Sequence, residues 1–150
     1  MGKDLEEGSR VNLDFRKIEA IAESMGGVIP AVAQDVDTGM VLMLGYVNEL
    51  ALKTAFEKEV AVFWSTSRNE LWIKGASSGD LLELVEARVN CEQNSILYLV
   101  RPKGQGACHT RNENGKSRAS CYYRSLDFKK GELKHAPYRA FGTDAVEKEG

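Results

Sequence analysis

Short apolar runs separated by glycine, asparagine and aspartate dominate the middle of the chain, and they predict strands. Val28 to Gln34 and Met40 to Tyr46 flank the turn-rich stretch Asp35-Val36-Asp37-Thr38-Gly39, which predicts a hairpin. Val60 to Ser65, Leu71 to Lys74, Leu81 to Asn90 and Ser95 to Arg101 read as further strands. Helical spacing occurs twice. Asp14 caps a stretch to Met25 with Phe15, Ile18, Ile21 and Ala22 on one face, closed by Gly26-Gly27. Asn48 caps a second to about Glu59, with Leu52, Ala55 and Phe56 toward the core. Two short helices among so many strands, many in hairpin order, predict an α+β fold on a mostly antiparallel β-sheet.

Length and charge narrow the function classes. With 150 residues and 43% apolar content, the chain has material for one core. The expected division is a polar, fraying segment 1–13, a domain over 14–125 and a polar tail 126–150. Twenty basic and 22 acidic residues leave a formal charge of −2, so no field draws the chain to nucleic acid. No run is long and apolar enough for a membrane helix. An acidic chain with no leader-like start and an odd number of cysteines is expected in the reducing cytoplasm, its thiols free.

Those thiols carry the chemistry. Cys91, Cys108 and Cys121 are a soft donor set that suits Zn²⁺, and three protein ligands are the count that leaves a position for water or substrate. Cys108 and His109 stand in the polar, glycine-bearing stretch from Pro102 to Ser120, and a loop that long in a compact domain is functional or disordered. His109 suits proton transfer in an open site, or it closes a structural site as a fourth ligand. Three unmetallated cysteines, some of them buried, are the plain alternative. Cys121-Tyr122-Tyr123-Arg124 resumes an extended segment in which the tyrosines read as sheet packing, and His135 reads as a surface residue of the charged tail.

A second cluster surrounds the hairpin expected at Phe63 to Gly79. Trp64, Ser65, Arg68, Lys74, Ser77, Ser78 and Gly79 put hydroxyls, cations and glycines together, a composition that suits a phosphate or an ordinary polar turn beside two core tryptophans. Asn90, Glu92 and Asn94 flank Cys91 with oxygen-bearing side chains but only one formal charge, poor for a hard cation such as Mg²⁺.

Taken in order, the segments Ile29 to Asp35, Val41 to Asn48, Phe63 to Arg68, Leu71 to Gly75 with Ser77-Ser78-Gly79, Cys91, Cys108-His109-Thr110 and Ser120 to Arg124 resemble the phosphoribosyl-AMP cyclohydrolase family. The resemblance implies a homodimer with the active site at the subunit interface and zinc held by Cys91, Cys108 and Cys121 drawn from both subunits. It implies opening of the adenine ring of the nucleotide substrate phosphoribosyl-AMP at the N1–C6 bond, in histidine biosynthesis. His109 would shuttle the proton, and Trp64, Ser65, Arg68, Lys74, Ser77, Ser78, Gly79, Thr110 and Arg111 would meet substrate. Where the family usually has Mg²⁺-binding aspartates, this chain has Asn90, Glu92 and Asn94. It also carries a longer stretch, Arg111 to Ala119, before the last cysteine, with Arg111, Lys116 and Arg118 adding positive charge. Two other readings fit the same residues: a diverged hydrolase or deaminase of another nitrogen heterocycle, and a non-catalytic zinc-stabilised binding module.

Overall fold

A computed structural model describes residues 2–24 and 27–136. In chain order the elements are α1 (Gly2–Glu7), α2 (Lys17–Ser24), β1 (Ile29–Asp35), β2 (Val41–Val47), α3 (Glu49–Lys58), β3 (Val62–Ser65), β4 (Glu70–Ile73), β5 (Leu82–Val89), β6 (Ile96–Pro102), β7 (Arg124–Asp127) and β8 (Glu132–His135). Strands β2-β1-β6-β5 form a four-stranded sheet, with β1 and β6 parallel and the other neighbours antiparallel. Two-stranded antiparallel ribbons, β3-β4 and β7-β8, complete the α+β architecture.

The expected alternation sets the faces of the sheet. Ala31, Ala33, Ile96, Tyr98 and Val100 point inward and are buried together with Leu42, Ala51, Ala55 and Phe63, so α3 and the β3-β4 ribbon roof one face. Backbone bonds from Ala61 to Leu82 and from Leu84 to Glu59 tie that roof to β5. Phe63 and Tyr98 meet edge to face at 5.6 Å, and the buried Tyr98 hydroxyl donates to the Val62 carbonyl at 3.0 Å. On the opposite face Leu44, Val32 and Leu97 line up across β2, β1 and β6, with Leu44 exposed and the other two half-buried. A cavity of about 450 Å³ opens on that side between β1, β6 and the end of β5.

The helices depart from the pattern. Asn48 caps α3 as its sequence suggests, its side-chain oxygen accepting from Ala51 N at 2.9 Å. The buried face is Ala51, Thr54 and Ala55, however, and Phe56 is exposed: the helix is rotated by about one position because small residues let it sit close to β3. Among the described residues of α2 only Ile21 is buried, and Phe15 and Ile18 lie exposed, so no described residue covers the expected amphipathic stripe. Met25 falls outside the described residues. A third helix stands inside the polar segment 1–13, and the region after 125 begins with the β7-β8 ribbon, bridged to Arg10 through Glu132; residues 137–150 lie outside the described residues.

Gly45 shows how tightly the roof packs. A Cβ there would stand 2.5 Å from the Phe63 ring, itself pinned between Trp72 and Tyr98. Gly45→Ala should therefore destabilise the fold by about 1–3 kcal/mol, read as a lower urea midpoint with an unchanged slope.

Candidate active site

Between β6 and β7 the chain runs from Lys103 to Tyr123 without a named strand, and its shape is set by polar bonds. Ala107 N donates to Ala119 O at 3.2 Å and Cys108 N to Arg118 O at 3.0 Å, so the two cysteine-bearing arms run side by side. The approach is close: a Cβ on Gly106 would fall 2.4 Å from the Arg118 carbonyl oxygen. The residues between the arms close into a small turn, bridged from Arg111 to Ser117 and folded over Asn112, whose side-chain oxygen accepts from Asn114 N and Lys116 N. Ser120 Oγ donates to Val41 O at 2.7 Å and Cys121 N to Leu42 O at 2.8 Å, fastening the second arm to β2.

This architecture brings two of the three thiols together. Cys108 is buried and Cys121 exposed, and the two side chains stand close enough for each to shift the other's titration. The neighbouring Cys121, with hydrogen bonds from Thr110, holds the Cys108 thiol below its usual value against the opposing effect of burial. Cys108 and burial push the Cys121 thiol up. Cys91 stands elsewhere, exposed in the turn between β5 and β6. Among the described residues of one chain, no three His, Cys, Asp or Glu side chains gather into a metal-ligating group.

A cavity of about 500 Å³ opens beside Cys121 and is lined by Arg68, Lys74, Ser77, Ser78 and His109. The β3-β4 ribbon therefore faces the thiol loop. Lys74 is buried; burial lowers its ammonium, while Asp80, Cys121 and Cys108 work the other way. Its Nζ donates to the Asp80 carbonyl at 3.4 Å. The buried Asp80 carboxylate accepts from Gln105 N at 2.8 Å and Ser117 Oγ at 3.1 Å, joining the ribbon's far turn to both ends of the loop.

The other expected residues take supporting places. Ser65 Oγ accepts from Arg68 N and Nε, holding that arginine at the rim, where Glu70 pairs with it at 3.5 Å. Trp64 donates its indole N–H to Asn69, and Gly79 closes the turn by donating to Gly75 O. Thr110 lies buried against Cys108 Sγ, and Arg111 donates to Gly115 O within the small turn. Tyr123 is buried while Tyr122 is exposed. His109 is 80% exposed, with Nε2 3.1 Å from a carboxylate oxygen of Glu6. Asn90, Glu92 and Asn94 bond to one another: Asn90 Oδ1 accepts from Asn94 N and Ser95 N, Asn90 Nδ2 donates to Asn94 Oδ1, and Asn94 Nδ2 donates to Glu92. Sequence reasoning missed Asp80 and the acidic residues of α1, since their partners lie 25 to 117 positions away.

Comparison with known proteins meets this arrangement. A family model described as phosphoribosyl-AMP cyclohydrolase matches residues 43–123, the span that holds the β3-β4 ribbon and all three cysteines. The phosphoribosyl-AMP cyclohydrolase of Chloroherpeton thalassium is 35% identical over 134 residues, 89% of this chain and 91% of that protein. Proteins of the same name from Caulobacter vibrioides and Methanothrix thermoacetophila are 48% and 49% identical over 102 residues, covering 67% and 68% of this chain and 69% and 78% of theirs. With a matching family model over more than half its length and relatives this similar, the chain belongs to the phosphoribosyl-AMP cyclohydrolase family.

Proposed function

We propose that the chain is a zinc-dependent, cytoplasmic hydrolase of histidine biosynthesis that adds water to C6 of the adenine of phosphoribosyl-AMP and breaks the N1–C6 bond. One observation carries this reading: the paired loop arms that bear Cys108 and Cys121 open beside a cavity holding Arg68, Lys74, Ser77, Ser78 and His109.

The donors fit zinc as a half-site. Cys108 and Cys121 would hold the ion from one chain, and the exposed Cys91 of a second copy would supply the third thiolate, since the described residues of one chain do not gather three ligands. The row Leu44-Val32-Leu97, exposed at Leu44 and half-buried at the other two, lies on the sheet whose β5-β6 turn carries Cys91, which favours two copies packed through this face. When bound, zinc makes water acidic enough to act as a nucleophile near pH 7. His109 takes the water's proton as the C6–O bond forms, and returns it to N1 as that nitrogen leaves with the bonding pair. Arg68, Ser77 and Ser78 hold phosphate oxygens, and Lys74 contributes positive charge from the cavity floor. The residues around Cys91 do not fit Mg²⁺, because Glu92 is the only carboxylate and the amide oxygens of Asn90 and Asn94 are engaged within the turn.

The same turn, amide-rich where the resemblance leads one to expect aspartates, favours a second reading, a hydrolase of another nitrogen heterocycle. Zinc-loaded protein incubated with phosphoribosyl-AMP and followed by ultraviolet absorbance separates the two: turnover supports the first, and none, with turnover of another nucleotide in a panel, supports the second. His109→Ala should keep its zinc and lose on the order of a hundredfold in kcat; loss of zinc instead would make His109 a ligand. Cys91→Ser and Cys121→Ser should each abolish turnover. Their co-expression should restore up to roughly a quarter of it, because about half of the dimers are mixed and each of those carries one intact site of two. No restoration would place all three thiols in one chain. Titrating Mg²⁺ into zinc-loaded enzyme should change the rate by less than about twofold.

A further inference from the structure

The segment ahead of the sheet is strapped to the loop that carries the thiols. Tyr123 Oη donates to the Glu6 carbonyl at 2.6 Å, and Arg124 donates to Leu5 O at 2.9 Å and Gly8 O at 3.1 Å, so the backbone of α1 is fixed from below. Glu7 receives both ends of the Arg118 guanidinium, at 2.6 and 3.1 Å, and that guanidinium lies 4.1 Å over the Tyr123 ring with its side chain only 11% exposed. Farther on, Leu133 N donates to Ser9 O at 2.7 Å. A two-pronged pair shielded from solvent is among the stronger ionic contacts.

These anchors decide where Glu6 stands. Its carbonyl is bound to Tyr123 and its neighbour Glu7 is bound to Arg118, so its side chain is presented to His109 and meets Nε2 at 3.1 Å. An exposed histidine–carboxylate pair between two free side chains contributes little, since both must be ordered. Here the backbone of one partner is ordered already. An Nε2–H directed at a carboxylate leaves Nδ1 as the ring nitrogen able to take a proton.

We propose that Glu6 is a positioning residue for His109, holding the imidazole by Nε2 so that Nδ1 serves the reaction. Its role in turnover rests on the hydrolase reading above; the contact itself does not. The test uses the full zinc-loaded chain with Glu6→Ala, Glu6→Gln and Glu7→Ala, read two ways. One is the rate at which diethyl pyrocarbonate modifies His109, followed by peptide mass spectrometry against an added histidine peptide, since His135 itself lies 3.6 Å from Glu7. The other is kcat and KM for phosphoribosyl-AMP. Glu6→Ala should speed modification of His109 about fivefold and lower kcat on the order of tenfold, with KM changed less than about twofold. Glu6→Gln, whose amide oxygen still accepts from Nε2–H, should recover most of both. Glu7→Ala, which frees the strap and also leaves Arg118 without its carboxylate, should speed modification as Glu6→Ala does and lower kcat at least as far. An unchanged modification rate in Glu6→Ala overturns the contact, and faster modification with unchanged kcat overturns the positioning role. A wild-type chain that holds zinc yet leaves phosphoribosyl-AMP untouched sinks the hydrolase reading and the role with it, while the modification rates still decide the contact.

Discussion

Two backbone hydrogen bonds, Ala107 to Ala119 and Cys108 to Arg118, are the constraint on which the site rests. The stretch that carries both thiols contains no named strand and has few apolar side chains, so little burial is available to fix its path. Pairing the arms at their base makes the separation of Cys108 and Cys121 independent of how many residues loop out beyond them. The small turn over Asn112 can thus lengthen the chain without moving the thiols, because loop closure grows only slowly more costly with length. Fastening Cys121 and Ser120 to β2 carries the same restraint into the core.

The cavity floor follows from a shortage of partners for charge. Lys74 is buried, and its ammonium donates to the Asp80 carbonyl, while the Asp80 carboxylate accepts from Gln105 N and Ser117 Oγ. An ammonium so placed is costly unless negative charge stands close by. Asp80 supplies it together with the thiols, since Asp80, Cys121 and Cys108 all act on Lys74 in the direction that favours its charge. Lys74 is therefore as much the counter-ion of the thiols as a group awaiting a phosphate, a sharing that its place in a polar hairpin sequence does not suggest. Arg68, at the rim and held by Ser65, is the freer of the two cations for an incoming anion.

Elements whose partners are near in sequence or are generic apolar neighbours were legible from residue order. The strands of the sheet, the Asn48 cap and the β3-β4 ribbon follow from alternation and turn chemistry, which are local. The parallel pairing of β1 with β6 was not legible, because alternation is the same in either sense. The facing of the helices was legible only in part. Ile21 is buried where the spacing puts it, but Phe15 and Ile18 lie exposed among the described residues, and α3 turns alanines rather than Phe56 inward. Among the site residues, Cys108 and Cys121 lie in the segment between β6 and β7, whereas Cys91 stands apart on its own turn, a separation that spacing does not encode. The polar composition of residues 2–10 gave no hint of order, because what fixes that segment is a set of long-range hydrogen bonds and ion pairs.

That last failure has a physical reading, because the strap and the thiol loop complete one another. Without Glu7, Arg118 would be a nearly enclosed guanidinium, left with Thr110 Oγ1 and the Tyr123 ring for company. Removing one partner of such a pair costs more than the pair contributes, because the other charge stays desolvated. Arg118 also supplies the carbonyl that pairs with Cys108 N, so a disturbance of its side chain reaches the hydrogen bond that aligns the thiols. The strap consequently acts on the site at two points, on His109 through Glu6 and on the thiol arms through Glu7. A segment that composition alone marks as dispensable is thereby bound into the chemistry of the loop beneath it.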